Sequence, residues 1–151
     1  MEAPETAQPI FAGEFRHAMD GKNRVTIPSR WRKAEVDEFF AIPDLDGGFL
    51  MVMPPEVFRR VADKVEQDAR LTPPERRKFT RQFYSRSQHL VSDKQGRIVI
   101  PEEHCNQLEL HGEVVLAGNH ARFEVWNPDR WEKAFEEDSP TFKHVLGVLG
   151  I

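Results

Sequence analysis

Two short polar stretches combine the residue types that can grip a phosphate or a base edge. Asp20-Gly-Lys-Asn-Arg24 and Asp93-Lys-Gln-Gly-Arg97 each set an aspartate four residues ahead of an arginine, with Lys22 or Lys94 between them. A guanidinium is a planar fork whose N–H groups match phosphate oxygens, or O6 and N7 of guanine, in paired bonds, and a nearby carboxylate can hold that fork in one orientation. The lysines can add phosphate contacts. A single stretch of this kind would read as an exposed turn with a weak ion pair; a second copy in the same setting points to a shared task.

The setting is an internal repeat. Asp20-Gly-Lys-Asn-Arg-Val-Thr-Ile-Pro28 returns as Asp93-Lys-Gln-Gly-Arg-Ile-Val-Ile-Pro101 at an offset of 73. Further on, Phe49-Leu-Met-Val-Met-Pro54 matches Phe123-Glu-Val-Trp-Asn-Pro128, each followed by a helical pattern, and His17 and His89 fall at similar places upstream. The chain therefore reads as two similar halves. In each, the Asp-to-Arg stretch is a turn, after which Val25 and Ile27, or Ile98 and Ile100, alternate with Thr26 or Val99 at the period of a strand. Gly96 suits a turn position with positive φ, and Asn23, the next most tolerant residue, takes that slot in the first copy. Pro28 and Pro101 end the ladder, because proline has no N–H to donate.

The elements that must position these tips follow from the flanks. Gly112–Gly118 and Phe123–Trp126 read as a β-hairpin, as do Phe39–Ile42 and Phe49–Met53 across a Pro43–Gly48 loop. Pro55–Leu71 puts Val57, Phe58, Val61 and Val65 on one helical stripe, and Pro74–Tyr84 does so with Phe79 and Phe83. Asp129–Glu137 repeats the pattern with Trp131 and Phe135 as its buried face, while the residues beyond Ser139 stay open. The β part of a half, about 45 residues, buries too little apolar surface to stand alone, so the halves are expected to interlock. The fold class is α+β and β-rich, divided into half-domain 1 (14–56), a helical connector (57–85), half-domain 2 (86–129) and a C-terminal helix and tail (130–151).

Composition narrows the function classes. The chain has 151 residues, 39% of them apolar, which is enough for a real core. No apolar run approaches the roughly 18 residues that span a bilayer, and Met1–Pro9 lacks the basic start and apolar stretch of a signal peptide. A cytoplasmic location is expected. The single cysteine, Cys105, excludes an internal disulfide and a zinc-binding cysteine pair. Net charge is −4, yet it is sorted by position: residues 14–33 and 70–97 carry +4 and +6, while 1–13, 34–69 and 98–151 carry −2, −6 and −6. Both Asp-x-x-x-Arg stretches fall in the basic zones.

With these residues in view the chain resembles the MraZ family of bacterial regulators. The similarity runs from about Phe11 to Phe135 and includes Phe11-Ala-Gly13, both Asp-x-x-x-Arg motifs with their strand and proline, Glu113-Val-Val-Leu-Ala-Gly118 and Arg122-Phe-Glu-Val-Trp126. The resemblance implies a pseudo-symmetric swapped-hairpin AbrB-like barrel from two internal repeats with accessory helices. It also implies ring-shaped homo-oligomers, association with the nucleoid, and binding to short direct repeats of double-stranded DNA upstream of the division and cell-wall operon, commonly with repression. It carries DNA contact to Asp20, Lys22, Arg24, Asp93, Lys94 and Arg97, with secondary contacts expected at Arg16 and His17. No cofactor, metal or small-molecule ligand is implied, and no membrane partner. Two departures stand out: Asn23 occupies a position where the family usually has glycine, and Ser92 one where it usually has an aliphatic residue, which weakens packing beneath the second tip.

Other readings fit less of the sequence. Cys105 beside His104 offers a thiol and a base, but neighbours in a helix do not face each other and no oxyanion site accompanies them. His104, His111 and His120 lack metal-ligand spacing, and Trp31, Trp126 and Trp131 read as core or interface. A ring-forming protein-interaction scaffold, touching partners through acidic helical segments 55–69 and 129–137, is the main competitor. An AbrB-like antitoxin would carry one half-repeat, where this chain has two.

Overall fold

The computed structural model describes residues 10–151, so the signal-peptide argument on Met1–Pro9 lies outside the described residues. In chain order the elements are β1 (Glu14–Ala18), β2 (Arg24–Thr26), a 3-10 turn (Ser29–Trp31), β3 (Glu38–Asp44), β4 (Phe49–Met53), α1 (Pro55–Gln67) and α2 (Pro73–Ser85). Then come β5 (Gln88–Val91), β6 (Arg97–Val99), α3 (Glu102–Leu108), β7 (Glu113–Asn119), β8 (Arg122–Trp126) and α4 (Pro128–Leu149).

The halves exchange their hairpins. One sheet runs β1-β7-β8-β4-β3-β5, and β2 pairs β6 in a second, two-stranded sheet, so β1 of the first half lies on β7 of the second and β5 of the second on β3 of the first. All pairs are antiparallel. A pseudo-twofold relates the halves at an offset of 73: Val25 faces Ile98 in the β2–β6 pair, and Met51 faces Glu124 in the β4–β8 pair. Ile27 N–H donates to Gly96 O at 2.8 Å and Ile100 N–H to Asn23 O at 2.9 Å, the same bond in both directions. Both sheets are built from strands of the two halves together, in keeping with the small size of each half.

The interior is common to both halves. Val25, Ile27, Ile98 and Ile100 sit under the tips, and Phe11, Trp31, Phe39 and Phe123 form an aromatic group with centroid separations from 5.0 to 6.5 Å. The Trp31 indole N–H donates to Ala12 O at 3.0 Å, which satisfies the one polar group that burying it would orphan.

Several expectations are corrected. The flank match is one residue out: β4 (Phe49–Met53) and β8 (Arg122–Trp126) share the alternation of half-buried and buried positions, and α1 begins at Pro55 where α4 begins at Pro128, so Phe49 corresponds to Arg122. The two prolines that misled the alignment, Pro54 and Pro128, occupy successive positions at a helix start. Pro43 belongs to β3 rather than to a loop; β5 ends opposite Ala41, so at Pro43 the strand is an edge and a missing N–H breaks no ladder there. The helix beginning at Pro128 continues through Pro140 to Leu149, with Asn127 capping its start by accepting the Arg130 N–H at 3.1 Å. Phe135 is 56% exposed, so Trp131 packs on Trp126 and Phe135 lies beyond the edge of the body. Ser92 does not leave a packing defect: it is buried, and its hydroxyl accepts the Asp37 N–H at 2.8 Å.

Candidate nucleic-acid interface

Each tip is built by its aspartate. Asp20 Oδ1 accepts the N–H groups of Lys22 and Arg24, both at 2.9 Å, and Oδ2 accepts Arg24 Nε–H at 2.6 Å. Asp93 does the same, with Gln95 and Arg97 N–H at 2.9 Å on Oδ1 and Arg97 Nε–H at 2.8 Å on Oδ2. Short polar side chains that bond to the backbone two residues on fold such turns locally. The residue before each arginine has positive φ, 60° at Asn23 and 80° at Gly96, so asparagine reproduces the glycine conformation. The Arg24 N–H, followed by the guanidinium and the Lys22 N–H, holds the Asp20 carboxyl down at about 2. Asp93 is lowered by the same set of bonds around Arg97.

Both carboxylates are therefore anions at neutral pH and fix the arginines by Nε. The Nη groups of Arg24 and Arg97 carry no partner among the described residues, and the side chains are 30% and 29% exposed. The strand alternation then sets where they point. Val25 and Ile98 are buried on the inner face of the β2–β6 ribbon, so Arg24 and Thr26 from one strand and Arg97 and Val99 from the other share its outer face. Val99 is 53% exposed, in keeping with that placement. Arg24 lies opposite Val99 and Arg97 opposite Thr26, which sets the arginine Cα atoms roughly 7 Å apart along the ribbon. Lys22 and Lys94 are exposed beside them at the tips.

Arg16 is not brought to this face. Its guanidinium is held by Glu132 at 2.5 Å, with Glu14 at 3.7 Å and Glu113 at 3.8 Å, which ties β1 to α4. His17 is half-buried, opposite Val114 in the β1–β7 pair. A residue that the sequence did not single out does reach a tip: Arg32 lies over Gly96, donating from Nη1 to Gln95 O at 3.3 Å, while its Nε is buried without a partner. Its only signal was membership of the basic stretch 14–33. Thr26 and Val99, conspicuous as strand formers, also gave no hint that they flank the arginines.

The remaining reactive groups are structural. Cys105 is buried, its thiol raised above its ordinary pKa by burial, and it points at Ile100 O at 3.7 Å. His104 is likewise buried, which lowers its pKa and favours the neutral ring. Among the described residues no group of three or more His, Cys, Asp or Glu could hold a metal ion, and no helix is long and apolar enough to cross a membrane.

Two exchanged hairpins joined by a central ribbon, with an aspartate-held arginine at each tip, define a swapped-hairpin AbrB-like barrel made from one duplicated chain. The chain belongs to the MraZ family: it matches the family described as "MraZ protein, putative antitoxin-like" over residues 10–82 and again over 83–145. It is 36% identical over 140 residues to a protein of Heliobacterium modesticaldum, covering 93% of this chain and 96% of that one. It is 37% identical over 140 residues to a protein of Pediococcus pentosaceus, with the same coverage, and 34% identical over 144 residues to one of Clostridium acetobutylicum, covering 94% and 100%. Each of these relatives is named Transcriptional regulator MraZ, a regulator and not a class of enzyme.

Proposed function

We propose that the chain is a DNA-binding transcriptional regulator that reads duplex DNA through the outer face of the β2–β6 ribbon and the two tips beside it. The observation that carries this reading is the paired geometry of Arg24 and Arg97, each fixed at Nε by an aspartate and each leaving its Nη groups unpartnered on one face of a two-stranded ribbon. The major groove admits such a ribbon, and an oriented guanidinium there can take a phosphate or the O6/N7 edge of guanine. Lys22 and Lys94 add phosphate contacts, Asp20 and Asp93 orient without touching DNA, and Thr26 and Val99 face the bases between. The binding unit is segments 14–56 and 86–129 together, with 57–85 and the helix over 130–151 outside the contact.

The finer reading rests on the family. The protein binds short direct repeats upstream of its own division and cell-wall operon, as a ring of copies working in the cytoplasm on the nucleoid, and represses transcription. Each copy makes a weak contact, and several copies at the repeat spacing gain affinity through effective concentration. Lys22 and Arg24 at one tip and Lys94 and Arg97 at the other concentrate positive charge on the contact face, which is how a chain of net charge −4 approaches DNA.

Fluorescence anisotropy against duplex DNA from upstream of its own gene, beside a scrambled duplex, tests this. Preferential binding whose affinity falls with salt at a log–log slope near −0.9 per neutralised phosphate supports it. Equal binding to both duplexes, or none, favours a protein-interaction scaffold.

A further inference from the structure

The two tips are built alike and finished differently. At the offset of 73, Asn23 corresponds to Gly96 and Arg32 to Cys105. At the second tip the space that a Cβ on residue 96 would enter is filled by the Arg32 guanidinium, so only glycine fits beneath it. Arg32 also donates from Nη1 to Gln95 O at 3.3 Å and so braces that tip. Cys105, in the corresponding place, is buried and directed at Ile100 O at 3.7 Å. No long side chain reaches from there over the first tip. By the pseudo-twofold, the space taken by a guanidinium at one tip is open at the other to the side chain of residue 23 itself.

Asparagine with positive φ commonly ties its amide to a nearby main-chain group. Asn23 has φ 60°, and its main chain is engaged on both sides: the N–H donates to Asp20 O at 3.1 Å and the O accepts the Ile100 N–H at 2.9 Å. Its side-chain amide has no hydrogen-bond partner among the described residues. The residue is half-buried, between the exposed Lys22 and the Arg24 fork that Asp20 holds at Nε. An amide with both its donor and its acceptor free matches N6 and N7 of adenine in paired bonds, as a guanidinium matches O6 and N7 of guanine. A neutral amide gains less from a phosphate than the lysine and arginine on either side of it. We infer that Asn23 is a specificity-determining residue of the DNA face, reading an adenine edge beside the contact made by Arg24, and that the second tip, with Gly96 in its place, has no such reader. The inference rests on the reading of the tips as the DNA face. Its consequence is direction: two equal tips would let the barrel bind a site either way round, and unequal tips fix one orientation.

The test is Asn23→Gly, which gives the first tip the residue of the second, suits the positive φ and removes the amide alone; an unchanged urea midpoint confirms the fold. Native and variant proteins are titrated by fluorescence anisotropy against duplex DNA from upstream of the gene and a panel of single base-pair substitutions across it. Replacing one particular A·T pair should weaken the native protein by about 5- to 150-fold. The variant should be indifferent at that pair and keep the native preferences at the others. A variant that matches the native protein at every pair, or that weakens evenly across the panel, overturns the role of Asn23 and leaves the DNA reading standing. A native protein that binds every duplex alike, a scrambled one included, overturns both.

Discussion

Val25 and Ile98 face each other across the β2–β6 pair, and the same alternation that buries them turns Arg24 and Arg97 outward on one face. The two residues thus link the stability of the interlocked halves to the geometry of the DNA face. Ile98→Ala removes a fully buried side chain at the centre of the exchange and should cost about 2–5 kcal/mol. Urea unfolding should show one transition for both halves, shifted to lower urea; two separated transitions would contradict the interlocked core.

Gly96 is sensitive to an added methyl group. Its φ is 80°, and a Cβ there would come within 2.3 Å of the Arg32 guanidinium. Gly96→Ala should destabilise by about 1–2 kcal/mol from the left-handed backbone alone and displace Arg32 from the second tip. Asn23→Gly places glycine where φ is already 60° and should be nearly neutral in the same urea assay.

Ser92 carries a hydrogen bond that an aliphatic residue could not. Ser92→Val would leave the Asp37 N–H, now bonded to the hydroxyl at 2.8 Å, without its acceptor. The expected loss is about 1–3 kcal/mol, measurable as a lowered melting temperature, whereas restoring an aliphatic residue would stabilise the protein if packing alone mattered.

Much of this was legible in the sequence, and the limits are physical. The tips could be read because Asp-to-Arg turns fold from local bonds, and the interlocking of the halves followed from the small size of each, while the exchange of hairpins was implied only by the family resemblance. The register of the second flank was lost because Pro54 and Pro128 precede and begin their helices respectively, which sequence matching cannot separate. The residues beyond Ser139 stayed open because an interior proline removes one N–H bond and crowds the carbonyl four residues back, which commonly kinks or ends a helix, whereas α4 carries Pro140 and runs on to Leu149. The burial expected of Phe135 failed because periodicity shows that a helix has an apolar face but not what lies against it. Arg32 could not have been found by spacing, since its contact with Gly96 crosses 64 residues and exists only in the assembled fold.

The tips should be indifferent to pH across the physiological range. Asp20 lies at about 2 when folded, against roughly 3.9 in an unfolded chain. A carboxyl lowered by folding stabilises the fold fully above its unfolded value and loses that contribution as pH falls toward the folded one. The tip bonds therefore hold above roughly pH 4 and loosen between about 4 and 2. Carbon-13 carboxyl shifts should give midpoints for Asp20 and Asp93 below that of a free aspartate. Ordinary midpoints would mean that the arginines are not held as described.

The most direct test of the two-arginine reading replaces Arg24 and Arg97 by alanine, singly and together, and titrates each protein against duplex DNA from upstream of its own gene. Each single change should weaken binding by roughly 1–3 kcal/mol if the fork makes a paired base contact, and the double variant should lose preference for the native duplex while its urea midpoint stays near that of the unaltered protein. Unchanged affinity and preference in the double variant would show that the ribbon face is not where DNA is read.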